Sequence, residues 1–506
     1  MTPDLTLLLA IFLPLMATPV LAAFGEARAN MRDAASITAS VLTFAAVLYL
    51  LHVTNGGGTP AAMLFEVMPG LPLAFDIEPL GMIFALLASG LWVAVAPYAI
   101  GYMRANGEAR QTRFAICFAI AISSAIGIAF ASNLFTLFIF YELLTLSTYP
   151  LVAHKETAEA RAGARTYLVI LLSTSIAFLL VAIIWTWTLA GTLDFRPGGI
   201  LEGRIDPAFA PLLLALFAFG IGKAALMPFH RWLPAAMVAP APVSALLHAV
   251  AVVKAGVFAM LKVGVYVFGT GFLSATSASV WLVWVASISL LLAAAIALGK
   301  DDLKERLAYS TVSQLAYVTL GVALANQMGI AGGAMQMVMH AMAKITLFMC
   351  AGAIYVAAGK TRVSEMRGLG RQMPFTFAAF LIASLSIIGL PPMGGAWSKW
   401  YLLLAAADAQ QLAVMGVLAL GSLMSLFYLL PVAAGAFFMP APRGVHAPAD
   451  AQTGKTAMHE APLLCVAPLC LTALGCVILF FLAGGLHDFL MQIPLSPPPQ
   501  PMEAAP

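Results

Sequence analysis

Phe219-Gly-Ile-Gly-Lys-Ala-Ala-Leu-Met-Pro-Phe-His-Arg-Trp-Leu-Pro234 and Ile388-Gly-Leu-Pro-Pro-Met-Gly-Gly-Ala-Trp-Ser-Lys399 interrupt two long apolar segments with glycine and proline. Proline removes an amide donor and clashes with the preceding turn, and glycine loosens what remains. Each stretch therefore frees backbone carbonyls or amides inside a segment otherwise built to be helical. At bilayer depth such groups are tolerated only where protein or water satisfies them. Each break also holds a lysine, Lys223 in the first and Lys399 in the second. An ionisable side chain at the bilayer centre costs at least ~2.5–3.5 kcal/mol on insertion scales. Glu142, Lys254 and Lys344 lie equally deep in their own apolar segments. Such residues gathered in one chain point to use: holding and passing protons, or holding and releasing a small ion.

The chain around these breaks is that of an integral membrane protein. Hydrophobic residues make up 62% of it and charged residues 9%, with a mean hydropathy of +0.96. A soluble domain carries about 25% charged residues. The apolar runs are continuous and near the ~20 residues a helix needs to cross, unlike the alternating ~10-residue segments of a β-barrel. The expected fold is all-α, with about fourteen transmembrane helices. They fall near residues 5–24, 34–53, 79–99, 114–131, 134–153, 166–190, 207–234, 242–268, 280–299, 307–325, 329–358, 375–407, 411–438 and 461–483.

Charge supports this division. Most of the 25 Lys and Arg residues fall in loops that follow odd-numbered spans. The opposite loops carry only Arg196 and Arg204, with Lys262 near the end of span eight. The positive-inside rule then predicts odd loops in the cytoplasm and both termini on the outer side. Asp4 precedes the first apolar run and no basic residue does, so residues 5–24 read as a retained span, not a cleaved signal.

The broken spans seven and twelve are five apart. Corresponding breaks of this kind suggest two related halves with an ion site at each. Residues 114–268 (spans four to eight) and 280–438 (spans nine to thirteen) have opposite orientation because five is odd, the arithmetic of an inverted repeat. Residues 1–113 form an N-terminal three-helix segment, 461–483 a last helix, and 495–506 a proline-rich tail expected to be disordered. Residues 54–78 read as an outer loop containing glycine and proline.

Other chemistries find no footing. The 5 cysteines lie in apolar segments without a CxxC and read as inert core thiols. There is no P-loop, no dinucleotide fingerprint, no Cys/His cluster at metal spacing, and no basic patch for nucleic acid. The expectation is no cofactor, no metal, and a transporter component without catalytic chemistry of its own.

Among the deep charged groups, Glu142 in Ile139-Phe-Tyr-Glu-Leu-Leu144 is the one acid. A lone buried carboxyl favours its neutral form, and a lysine beside it favours the charged one. Lysine also changes charge state when desolvated, unlike arginine. A Glu142–Lys223 pair would thus titrate as a unit and act as a switch that an added proton opens. Lys254 follows His248 by six residues, about 9 Å along a helix, and a histidine suits a relay. His340 and Lys344 are i,i+4, on one helix face, so the histidine should be neutral when the lysine is charged. Ser310, Thr311, Ser313, Gln314 and Thr346 are candidates to hold water between titrating groups, or to make helix-packing hydrogen bonds.

At these residues the chain resembles the proton-conducting membrane proteins shared by Mrp-type cation/proton antiporters and respiratory complex I. The resemblance rests on Asp301-Asp-Leu-Lys-Glu-Arg-Leu-Ala-Tyr-Ser-Thr-Val-Ser-Gln314, on Pro242–Phe258 with His248 and Lys254, on His340-Ala-Met-Ala-Lys-Ile-Thr-Leu-Phe348, and on both broken helices. It covers roughly residues 75–435. It implies that Glu142 and Lys223 are the essential ion pair, Lys254 the central relay lysine, and Lys399 the terminal lysine that exchanges with the outside. His248, His340 and Lys344 would belong to the hydrated axis along mid-membrane. Length and Lys399 are most similar to the D-type member of the Mrp antiporters. Leu146-Ser-Thr-Tyr-Pro150 and Ala316 depart from common patterns. The implied function is proton translocation in a multisubunit Na⁺/H⁺ antiporter of a bacterial cytoplasmic membrane, with other membrane subunits as partners. The alternative is the proton-pumping subunit of a complex I-type oxidoreductase or a membrane hydrogenase.

Overall fold

The computed structural model describes residues 2–246, 251–440 and 458–495. Its N-terminal part holds α1 (Pro3–Phe24), α2 (Ala29–Asn55), a hairpin of β1 (Ala61–Met68) and β2 (Leu71–Asp76), and α3 (Pro79–Ala105). The first half of the core continues with α4 (Gln111–Ala129), α5 (Leu134–Val152), α6 (Ala158–Thr174), α7 (Leu180–Ala190), α8 (Ala210–Gly220), α9 (Trp232–Ala235), α10 (Ala241–Ala245), α11 (Val252–Lys262) and α12 (Thr270–Thr276). The second half holds α13 (Val280–Gly299), α14 (Leu303–Ala323), α15 (Gln327–Ala358), α16 (Pro374–Ile388), α17 (Gly395–Asp408) and α18 (Leu412–Phe438). Two further helices, α19 (Leu463–Phe481) and α20 (Ala483–Leu490), follow residues 441–457, which lie outside the described set. The tail predicted at 495–506, apart from Leu495, and the basic residues Arg443 and Lys455 also lie outside it.

The molecule is a multi-pass helical membrane protein. Among the described residues, 10 helices are long and apolar enough to cross a bilayer. The predicted spans seven, eight and twelve are each built from shorter helices, and α14 is too polar to count on composition. Length and hydropathy therefore establish the class of fold but not the number fourteen. The outer loop expected at 54–78 is in part a β-hairpin, antiparallel with Ala61 opposite Asp76. Its first strand is largely exposed, so no alternation of apolar and polar residues marks it.

Both breaks occur where glycine and proline place them, and both are satisfied internally. Between α8 and α9 the chain makes a 3₁₀ turn at Gly222–Ala224. There the Trp232 indole donates to the Gly222 carbonyl at 2.9 Å, the Lys223 amide donates to the Tyr141 hydroxyl at 3.1 Å, and the Met227 amide donates to Ser289 Oγ at 3.2 Å. Between α16 and α17 the Gly394 amide donates to the Cys476 carbonyl at 2.9 Å. These partners supply what the lost helical bonds do not. Close approach fixes two glycines: a Cβ at Gly256 would lie 2.3 Å from the Ala224 nitrogen, and one at Gly395 would lie 1.9 Å from the Ser386 carbonyl oxygen. Gly256 thus lets α11 rest directly on the first break, bringing the Lys254 helix against Lys223.

Candidate functional site

Lys223, Lys254 and Lys344 are each fully buried, and Lys399 is 7% exposed. Such ammonium groups need acceptors on every side, and the fold supplies a different set to each. Lys223 projects from the first break toward α5. Its Nζ donates to the Tyr141 carbonyl and to Thr145 Oγ1, both at 2.6 Å, and sits 3.1 Å from the centre of the Tyr141 ring. Glu142 is the next residue on that helix, but the expected ion pair is open. Both carboxylate oxygens of Glu142 are buried without a hydrogen-bond partner among the described residues. The reason is local. The Tyr141 carbonyl and the Thr145 hydroxyl take up the ammonium before the carboxylate can.

In the middle of the protein, Lys254 Nζ lies 2.5 Å from His340 Nδ1, joining α11 to α15. When the lysine is the donor, the imidazole carries its proton on Nε2. His340 and Lys344 share a helix as expected, yet they face different partners. Lys344 Nζ donates to the Leu307 carbonyl of α14 at 3.1 Å. His248 lies outside the described residues.

From Lys344 a polar stripe runs along α14. Leu307, Ser310, Gln314 and Tyr317 are spaced three or four residues apart, on one face over about 15 Å. Ser310 accepts from the Tyr428 hydroxyl at 2.9 Å, and Tyr428 lies 3.0 Å from Ser425 Oγ. Gln314 Oε1 accepts from Gln336 Nε2 at 2.8 Å, and Gln336 Oε1 accepts from Ser398 Oγ at 2.6 Å. The stripe ends at the second break. There Lys399 Nζ donates to the carbonyls of Ile387 (2.7 Å) and Ile388 (3.0 Å) and to Ser422 Oγ (2.9 Å), and lies 4.9 Å from the centre of the Tyr317 ring. Lys399 also lines a cavity of about 760 Å³ with Trp397, Trp400 and Leu423.

Two of the expected water-holding residues, Ser310 and Gln314, are thus on this stripe. Thr346 instead donates to Thr472 Oγ1 at 2.8 Å, a helix-packing bond between α15 and α19. Tyr141, Thr145, Gln336, Ser398, Ser422 and Tyr428 do not stand out in the sequence. Spacing from Lys399 points to Ser398 alone. The others are ordinary polar residues in apolar helices, and only packing shows where they point.

A bundle with two internally satisfied helix breaks, a buried lysine at each, and a polar stripe leading from Lys344 to the second is the arrangement of an ion-translocating membrane protein. Residues 131–425 match the family described as NADH:quinone oxidoreductase/Mrp antiporter, transmembrane, and the chain belongs to that family. It is 33% identical over 337 residues to the N subunit of NADH-quinone oxidoreductase from Desulforudis audaxviator, covering 66% of each chain. It is 32% identical over 353 residues to the A/B subunit of a probable K⁺/H⁺ antiporter from Rhizobium meliloti, covering 69% of this chain and 34% of that one. The chain therefore spans two thirds or less of the length of these curated relatives. Its fold matches a chain of the Mrp complex from Dietzia sp. with a TM-score of 0.85 at 23% identity, covering 97% of both. A chain of an archaeal membrane-bound sulfane sulfur reductase matches with a TM-score of 0.84, also at 23% identity, covering 97% of this chain and 98% of that one.

Proposed function

We propose that this chain translocates protons as one component of a multisubunit Mrp-type antiporter, in exchange for Na⁺ or another monovalent cation. The observation that carries the reading is a set of four buried lysines, Lys223, Lys254, Lys344 and Lys399, with Lys254 on His340 and polar side chains of α14, α15 and α17 near Lys399. Lysine is suited to this because it gives up and regains a proton when desolvated. Glu142 and Lys223 act as the switch. In the open arrangement Lys223 rests on Tyr141 and Thr145. When it swings to Glu142, the charge presented to Lys254 changes. Lys254 then trades a proton with His340, Lys344 passes charge to the α14 stripe, and Lys399 exchanges with the outer side. His248 is proposed as a further member of the relay.

The same reading takes residues 114–268 and 280–438 as an inverted repeat with one break each, between a three-helix N-terminal segment (1–113) and a last helix (461–483). It places the basic loops in the cytoplasm of a bacterium and both termini outside. The likeness to the N subunit of an oxidoreductase favours a second reading, in which the same relay serves a redox-driven pump whose partners carry the electrons.

Lys223→Ala tests the relay. It should abolish proton-coupled transport while the chain still assembles, and retained transport would overturn the switch. Co-purification separates the two readings: small membrane proteins support the antiporter, and iron–sulfur or flavin proteins support the pump.

A further inference from the structure

Lys155, Lys304 and Lys360 come from three different basic loops, yet they line one cavity of about 280 Å³ together with Asp302, Tyr102 and Tyr355. The ends of α3 and α15, the turn after α5 and the start of α14 meet here, so the cavity lies at the face of the basic loops. It also lies between the two halves of the core. Met237 and Ala241 wall it from the first half, and Leu303 and Ala351 from the second.

The positive charge of this cavity is largely unanswered. Lys304 Nζ donates to the Ala239 carbonyl, which ties the start of α14 to the segment before α10. Among the described residues that is its one acceptor, so two of its three N–H bonds are unspent. Lys155 Nζ rests over the Tyr355 ring, 5.9 Å from its centre. Among the described residues the Lys360 side chain has neither a hydrogen bond nor an ion pair. Asp302 lines the same cavity, but its Oδ1 is spent on its own helix, accepting the Glu305 amide at 3.0 Å. The acids beside these residues in the chain are committed elsewhere: Glu305 pairs with Lys300 at 3.0 Å, Glu156 with Arg113 at 2.6 Å, and Asp301 accepts from Ser364 Oγ at 2.8 Å. Three ammonium groups thus face one space against a single carboxylate. Like charges gathered in this way repel, and an anion placed among them turns the repulsion into attraction.

We propose that this cavity binds a phosphate group, carried by a phospholipid head or by a soluble phosphate, and that the bound anion fastens the two halves of the core together. Lysine binds phosphate as a point charge, and a phosphate offers an oxygen to each of the three ammonium groups. Basic pockets between transmembrane helices suit anionic head groups, and the apolar wall of Met237, Leu303 and Ala351 accepts the carbon next to the phosphate. Lys304 opens the helix whose Leu307 carbonyl holds Lys344, so the anion also steadies the near end of the polar stripe. Binding at this cavity requires no proton transfer, so it stands or falls apart from the relay.

Thermal unfolding of the purified complex tests this, because a ligand that binds the folded state raises its midpoint. Inorganic phosphate is titrated against chloride at equal ionic strength, and bilayers of phosphatidylglycerol are compared with bilayers of phosphatidylcholine. The variant is the double substitution Lys155→Gln with Lys360→Gln, which keeps Lys304 and its bond to Ala239 and with it the contact between the halves. A rise in the parent's midpoint with inorganic phosphate assigns a soluble phosphate. A rise with phosphatidylglycerol alone assigns a lipid head group. In the double variant the phosphate concentration at half effect should rise at least tenfold, or the phosphatidylglycerol shift should fall by at least half. Lys304→Gln should weaken the response in the same way. A parent that neither inorganic phosphate nor phosphatidylglycerol stabilises beyond its control would overturn the proposal. So would a double variant that responds as the parent does.

Discussion

Thr145→Val tests the open state of the switch. Thr145 Oγ1 accepts one of the two 2.6 Å hydrogen bonds that hold Lys223 Nζ away from Glu142. Valine matches threonine in shape and removes only the hydroxyl. A buried hydrogen bond to a charged group is worth about 1.5–3 kcal/mol, and each ~1.4 kcal/mol is tenfold in an equilibrium constant. The substitution should therefore move Lys223 toward Glu142 by roughly ten- to a hundredfold. If both positions must be visited in each cycle, turnover falls by a similar factor. Proton movement into everted vesicles, followed with a pH-sensitive dye, reads this directly. Thr145→Ser keeps the hydroxyl and should stay near the parent rate. In a Glu142→Gln background, Thr145→Val should add little, because the partner it favours is gone. A Thr145→Val variant within twofold of the parent would refute the two-position switch.

Gln336→Leu should break the link from Gln314 to Ser398 and leave both buried without that partner. Ser398 keeps its bond to the Gly395 carbonyl at 3.2 Å, so the expected outcome is an interrupted stripe: a large fall in turnover with the complex intact, measured by transport and by gel filtration. His154 lies beyond α5, outside the membrane-spanning segments. Burial pushes its imidazole down to about 4, with the Arg113 charge adding to the fall. The unfolded chain binds that proton more readily, so its contribution to stability is full above about 6.5 and is lost as pH falls toward 4. His154→Gln should flatten this acid limb in thermal unfolding of the purified complex between those pH values.

How much of this is legible in the sequence depends on the signal each residue carries. Lys223 and Lys399 stand out because charge beside a Gly/Pro break is rare in an apolar segment, and both lie at breaks in the fold. Lys254 and Lys344 stand out for the same charge, and both are fully buried. Their partners are not legible. Sequence spacing pairs His340 with Lys344 because they share a helix face, while packing sets His340 against Lys254 of a different helix. The Glu142–Lys223 pair reads as closed because opposite charges attract. The open arrangement depends on where the Tyr141 carbonyl and Thr145 hydroxyl fall, which only three-dimensional packing fixes. Lys262 reads only as a charge near a span end. Its ion-pair partner Glu78 lies far earlier in the chain and meets it only after folding. The hairpin at 61–76 escapes the sequence reading because β1 is exposed on both faces.

Lys254→Arg in the intact complex tests the central claim most directly. Arginine keeps the positive charge between the two breaks but holds its proton, so a structural role survives and a relay does not. Single-turnover or steady-state proton flux in reconstituted vesicles should fall at least tenfold, with the variant assembled to the parent level. Flux near that of the parent would contradict proton passage through Lys254 and, with it, the account of the buried lysines as a relay.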